Sequence, residues 1–357
     1  MEGRLTPARQ GCYPCRMWLD EAKKVEVFTG VDRRRFEEEI VPRHRPAVLK
    51  GVAAHWPAVA AAKNGPAALC DYLKGFANDN KVQFWSIKAA DAGRYSFNDE
   101  LTGPNHTQRQ LPFRQIADLL LRDMDDAGAP CHYAGGVPIQ PVLPGLERQN
   151  QTGLIDVGPG TLISLWIGNR TRTAAHWDLP QNLACVISGR RRFTTFAIDQ
   201  VPNLYIGPLD MTLAGQPTSL VDFHNPDFDR FPRFRQAMDH AEVADLEPGD
   251  VLYMPSLTVH HVESLENFGA MINYWWQDTP AWMTTPLTSL FHARLTLRDR
   301  PEHERMAWRA LFDHYIFGTG PDAMAHIPEG AHGLFGKMTP EVERAIKAYL
   351  VQTLTGR

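Results

Sequence analysis

The chain has 357 residues, 43% hydrophobic and 22% charged, with a formal net charge of −4 at pH 7; this is an ordinary globular composition, enough for one large domain or two modest ones. That charge gives no electrostatic reason to expect nucleic acid or an anionic membrane as partner, and no apolar run approaches the roughly 20 residues that span a bilayer. The first residues carry no hydrophobic segment of a secretory signal and the five cysteines are odd in number, so a reducing compartment, the cytoplasm, is expected.

Residues 1–24 read as a polar, irregular arm. Within it Cys12-Tyr-Pro-Cys15 has no second pair to complete a four-ligand zinc site and no βαβ setting for redox chemistry, so it is read as structural or incidental. Cys70, Cys131 and Cys185 read as small buried hydrophobes. Residues 25–28 form a short strand candidate, and Asp32 caps a helix over 32–40. A strand is expected over 45–50, a helix over 66–76 and an alternating strand over 81–87. Residues 113–124 carry Phe113, Ile116, Leu119 and Leu120 on one helical stripe.

From about residue 130 the pattern changes to short apolar strands separated by Gly and Pro turns: 161–167, 182–187, 192–196, 251–254 and 270–276. Many short strands at this spacing predict a sandwich or jelly-roll barrel. Residues 199–239, rich in Pro, Asp and Phe, form a long insertion of the kind that binds substrate on a rigid barrel. Beyond Trp276 the chain turns helical. Thr285-Pro286 starts one helix, residues 302–317 a second and Thr339-Pro340 the last. This apolar tail is expected to form a homodimer interface.

The chemistry concentrates in Thr171-Arg-Thr-Ala-Ala-His176-Trp-Asp178 and in Pro255-Ser-Leu-Thr-Val-His260-His261. His176 and Asp178, two apart on a strand, leave the same face about 6.5–7 Å apart along the chain. His260 supplies a third ligand from a second strand–turn setting. Two imidazoles and one carboxylate on one side of a metal leave positions open for oxygen activation. A lone His-x-Asp is weak evidence; with the distant histidine in a matching setting it is much stronger. His224, His240, His292 and His314 have no partner pattern and read as structural or surface residues. Arg94 and Asp99 are candidates for the mouth of the site that nothing in the spacing requires. The Arg190–Arg192 run is either a solvated cluster at a turn or, through Arg191, a grip for a carboxylate. Tyr274, Trp275 and Trp276 read as core aromatics.

These stretches, with Gln181-Asn182, Ser188-Gly-Arg-Arg-Arg-Phe193, Glu247-Pro-Gly-Asp-Val-Leu-Tyr-Met-Pro255, His260-His-Val-Glu-Ser264 and Asn273-Tyr-Trp275, resemble the JmjC-type branch of the cupins. The likeness is to bacterial cupin-like proteins related to the factor-inhibiting-HIF asparaginyl hydroxylase. It covers residues 130–280 well and the N-terminal third more loosely. The resemblance implies a double-stranded β-helix (jelly-roll) with flanking helices, and Fe(II) held by His176, Asp178 and His260, with 2-oxoglutarate as co-substrate. By the same matching, Arg191 stands where the family has a lysine for the far carboxylate. Tyr133 and Thr173 become its hydroxyl partners, and Asn182, Asn273 and Trp275 line the pocket. Arginine is longer and planar, so that pocket must be reshaped.

The expected organisation is an N-terminal α/β region over 1–129, the barrel over 130–280 and a helical region over 281–357. The expected activity is 2-oxoglutarate-dependent hydroxylation of a protein side chain, with no catalytic residue beyond the metal ligands. A small-molecule tailoring oxygenase and a non-catalytic binding cupin are the alternatives.

Overall fold

The computed structural model describes residues 17–212, 215–318 and 322–355. Cys12 and Cys15 therefore lie outside the described residues. The chain divides into two units, one ending at Gln277 and one beginning at Asp278.

The described part of the first unit contains fifteen strands in chain order: β1 (Lys23–Lys24), β2 (Val27–Thr29), β3 (Ala47–Lys50), β4 (Lys81–Ile87), β5 (Arg94–Tyr95), β6 (Thr107–Pro112), β7 (Cys131–Pro138), β8 (Leu162–Gly168), β9 (Arg172–Trp177), β10 (Gln181–Ser188), β11 (Arg191–Phe196), β12 (Glu242–Leu246), β13 (Val251–Met254), β14 (Val259–Ser264) and β15 (Gly269–Trp276). They make a six-stranded sheet, β1-β12-β11-β14-β9-β5, and a nine-stranded sheet, β2-β3-β13-β10-β15-β8-β7-β4-β6. This is the jelly-roll core with flanking helices that the strand pattern predicts. Six strands that precede residue 130 join the two sheets, so the N-terminal stretch extends the barrel walls.

Three apolar clusters follow from the pleat, since alternate residues of each strand leave opposite faces. Val186, Phe193, Leu246, Leu252, Val262 and Met271 fill the space between the sheets. The largest cluster lies on the nine-stranded sheet, where helices Pro57–Ala62, Pro66–Lys74 and Phe113–Asp123 cover it through Val59, Leu69, Leu73, Phe113, Ile116 and Leu120. The third lies on the six-stranded sheet, where the insertion lays Leu204, Val221, Phe223 and Phe234 over Phe196 and Val259.

Most predicted elements appear with small shifts at their ends. Asp32 caps its helix by accepting from the Arg35 N–H at 2.8 Å. The early strand begins at Val27 because Val25 turns into the interior cluster. The arm is not irregular throughout: Met17–Glu21 is helical, with Trp18 and Leu19 buried and the Trp18 indole donating to Phe223 O at 3.0 Å. The Pro57–Ala62 helix went unpredicted because its small residues carry no amphipathic stripe.

In the second unit the Thr285 hydroxyl caps helix Pro286–Thr296, and Pro340–Thr355 is the last helix. Its helices leave Leu295, Ile316, Phe317 and Val351 more than half exposed. No helix among the described residues is long and apolar enough to cross a membrane.

Candidate metal and keto-acid site

His176 and His260 face each other across the β9–β14 ladder as direct partners, their ring centroids 4.4 Å apart. Asp178 follows β9 immediately, where its backbone carbonyl accepts from the Leu257 N–H at 2.9 Å. The Ser256 hydroxyl donates to Leu179 O beside it. The turn before β14 and the turn after β9 are thus tied together, which brings the third ligand to the first two. One ligand atom from each of His176, Asp178 and His260 lies within 4.8 Å of the others, and His260 Nε2 is 3.6 Å from Asp178 Oδ2.

The ring nitrogens are assigned by their backbone contacts. His176 Nδ1 lies 2.9 Å from Ala174 O and His260 Nδ1 lies 2.9 Å from Thr258 O. A carbonyl only accepts, so each Nδ1 carries the proton and each Nε2 keeps its lone pair for a cation. Burial, and then the neighbouring His176, hold His260 down to about 4, so its imidazole is neutral at pH 7. Two imidazoles and a carboxylate fit a divalent transition metal with open positions.

A bulge sets the phase of β9. Val262 pairs with Thr173 while His260 pairs with His176, so β9 spends three residues where β14 spends two. The extra residue brings Thr173 onto the interior face with His176. Behind the ligands a narrow cavity of about 20 Å³ is lined by Tyr133, Thr173, Asn182, Asn273 and Trp275 together with the three ligands. Trp166, Phe193, Val262 and Met271 complete its walls. Trp166 and Met271 were missed in the sequence because they sit in short runs of continuous apolar residues, and Phe193 and Val262 because an apolar residue between polar neighbours reads as core rather than as cavity wall.

Arg191 meets the cavity wall at Tyr133. It is 1% exposed, in hydrogen-bonding contact with the Tyr133 hydroxyl, which also meets Thr173. Among the described residues no carboxylate pairs with it, and its Nε and Nη2 have no hydrogen-bond partner. Burial pulls the guanidinium below its ordinary pKa, and Tyr133 pulls it back up. Trp166 Nε1, Trp275 Nε1 and Asn273 Oδ1 are likewise buried without partners, while Asn273 donates to Asn182 Oδ1 at 2.8 Å. The two unpaired indole donors on the cavity and the unpaired cation against its Tyr133 wall are groups that a carboxylate ligand could satisfy, whereas Asn273 Oδ1 can only accept. The cavity as it stands is smaller than a keto-diacid.

Other residues fall outside the site. His261 faces away from the cavity and stacks on Phe223 of the insertion at 4.6 Å. His224 is bonded to Glu263 on that outer face. Arg94 donates to Leu220 O at 2.9 Å and so anchors the insertion, while Asp99 is exposed. Tyr274 and Trp276 pack in the outer core, as expected of core aromatics, and Trp275 turns to the cavity.

The cupin-like domain family matches residues 33–281. The chain belongs to that family. This cupin is similar to the tRNA wybutosine-synthesizing protein 5 of Gallus gallus, 26% identical over 286 residues, covering 73% of this chain and 79% of that protein. It is also similar to the lysine-specific demethylase JMJ31 of Arabidopsis thaliana, at 25% over 272 residues, covering 68% of this chain and 48% of that one. Human HSPB1-associated protein 1 is 33% identical over 150 residues, 41% of this chain and 30% of that protein. The cupin is thus of the JmjC type and, at family level, has the scaffold of a 2-oxoglutarate oxygenase.

Proposed function

We propose that this cupin is an Fe(II)- and 2-oxoglutarate-dependent oxygenase that hydroxylates a protein side chain. The observation that carries the reading is the convergence of His176, Asp178 and His260 on a cavity whose Tyr133 wall meets a buried arginine with no acid partner among the described residues. Iron bound there would supply oxygen activation driven by oxidative decarboxylation of the keto acid.

The chain's own residues do the rest. Arg191, with Tyr133 and Thr173, would hold the far carboxylate of the keto acid and supply the charge that orients it. Asn182, Asn273 and Trp275 line its path. The backbone carbonyls of Ala174 and Thr258 hold both imidazoles with Nε2 turned inward. The apolar plug of Phe193, Val262 and Met271 keeps water from the inner end.

A protein substrate is favoured over nucleic acid by the net charge of −4. The similarity to a tRNA wybutosine-synthesizing protein supports the competing tRNA reading. The exposed apolar helices of the second unit support a homodimer. The free, buried thiols of Cys70, Cys131 and Cys185 support the cytoplasm.

The test is anaerobic Fe(II) loading followed by admission of oxygen and measurement of succinate formed from 2-oxoglutarate, with His176→Ala as control. Succinate from the wild type alone is the expected result. Equal succinate from both proteins removes the reading, and so does none from either when iron is bound.

A further inference from the structure

The insertion does more than roof the outer face of the six-stranded sheet. Its residue Thr218 pairs antiparallel with His176, and the Ser219 N–H donates to Ala175 O at 2.7 Å. Ile206 bridges to Ser219 in turn, Gly207 N–H donates to Thr218 O at 2.8 Å, and Leu220 N–H donates to Tyr205 O at 3.0 Å. This short ribbon lines the second half of β9, where β5 has stopped pairing after Tyr95 and Thr173.

Residues directly opposite in a ladder point their side chains to the same face. His176 faces the barrel interior, so Thr218 does too. Ser219 faces the other way, and its hydroxyl donates to Leu204 O at 2.6 Å. Thr218 is 5% exposed and its hydroxyl has no hydrogen-bond partner. Packing alone does not account for a hydroxyl here, since valine fills the same space without leaving a buried polar atom unmatched.

We infer that Thr218 is a specificity-determining residue whose hydroxyl hydrogen-bonds a peptide amide of the substrate beside the carbon to be oxidised. The inference rests on the oxygenase reading and deepens it by naming the group recognised. A hydroxyl both donates and accepts, as an amide requires, and carries no charge to pair with phosphate. Its chain neighbours Pro217, Ser219 and Leu220 bring no cation.

N-methylacetamide, a minimal peptide-group mimic, is the probe. It is offered to the full chain loaded with Mn(II) and 2-oxoglutarate in the absence of oxygen, and its proton relaxation by Mn(II) reports binding beside the metal. Wild type and Thr218→Ser are expected to bind it alike. Thr218→Val is expected to bind it about three- to tenfold more weakly, the equivalent of one neutral hydrogen bond. Mn(II) and keto-acid affinities, measured on the same samples, should be equal in all three proteins. If the wild type takes up neither metal nor keto acid, both readings fall. If it takes up both and Thr218→Val binds the probe as well as wild type, only the role of Thr218 falls. Threonine-dependent relaxation of guanosine in place of the amide also overturns it, because the hydroxyl would then serve a nucleobase.

Discussion

Replacing Arg191 with methionine should make the unliganded protein more stable and deaf to 2-oxoglutarate. The guanidinium is fully buried, faces no carboxylate and leaves Nε and Nη2 without partners. Each unmatched donor costs about 1–3 kcal/mol. Methionine removes both and forfeits the contact with the Tyr133 hydroxyl, worth about 0.5–1.5 kcal/mol, while Thr173 still meets that hydroxyl. About 2–6 kcal/mol less about 0.5–1.5 kcal/mol leaves a net gain of roughly 0.5–5 kcal/mol, or a rise of about 1–9 °C in melting temperature for a unit of this size. In the wild type, 2-oxoglutarate at a hundred times its Kd should add about 2.7 kcal/mol. The variant loses two charge-assisted bonds to the far carboxylate, about 3 kcal/mol or more, so its affinity should drop at least about a hundredfold. Thermal and urea unfolding with and without 2-oxoglutarate reads both effects. A variant that is less stable than wild type, or that gains the same stability from the keto acid, refutes the reasoning.

Three further outcomes are expected. His260→Ala should lose Mn(II) or Co(II) binding by at least about a hundredfold while keeping its far-UV circular dichroism, because one of three converging ligands is gone and the ladder is not; titration calorimetry measures it. His106 is buried against Trp85 and Tyr95, and burial holds it down to about 4 in the folded protein against about 6.5 unfolded. The unfolded chain therefore takes up a proton that the folded one refuses, so stability present above pH 6.5 is lost as pH falls from 6.5 through 4. His106→Phe should flatten that decline, by at most one proton's worth of slope, in urea titrations across the range; parallel curves would count against it. Gly168→Ala should destabilise by about 1–3 kcal/mol, because a Cβ there meets His132 O at 2.7 Å and the Tyr133 ring at 2.8 Å. It should also weaken keto-acid binding through the displaced tyrosine.

The parts of the site that were legible in the sequence are those set by local spacing. His176 and Asp178 two apart, and a histidine just beyond a strand and a proline turn, needed no knowledge of the rest of the chain. The bulge did not show. On a regular strand Thr173 and His176, three apart, would face opposite ways, and only pairing with β14 inserts the residue that brings both inward. Sheet order was hidden for the same reason. The two-residue strands Lys23–Lys24 and Arg94–Tyr95 have no periodicity of their own and exist because Glu242–Val243 and Arg172–Thr173 offer them an edge. The phase of Arg191 was readable from alternation, since Arg192 on the opposite face pairs with Asp245 at 2.6 Å. That Arg191 would be left without an acid could not be read from neighbours along the chain.

The barrel interior is built to two standards. At one end Val186, Leu246, Leu252 and Phe193 fill the space between the sheets with no polar atom to satisfy. At the other end Trp166 Nε1, Trp275 Nε1 and Asn273 Oδ1 are buried unmatched around one cavity, and Arg191 Nε and Nη2 are unmatched where that side chain meets Tyr133 of the cavity wall. Folding alone opposes each of them, because apolar replacements of similar shape would raise stability. Trp85 Nε1, Asn169 Nδ2, Thr194 Oγ1, Thr218 Oγ1 and His261 Nδ1 are also buried unmatched, but three such atoms on one small cavity that also holds three metal-type ligands fit a fold that sacrifices local stability where it must bind something. The stability gain expected of Arg191→Met is therefore the sharper test of function than any loss, since a residue kept only for structure has no reason to be better absent.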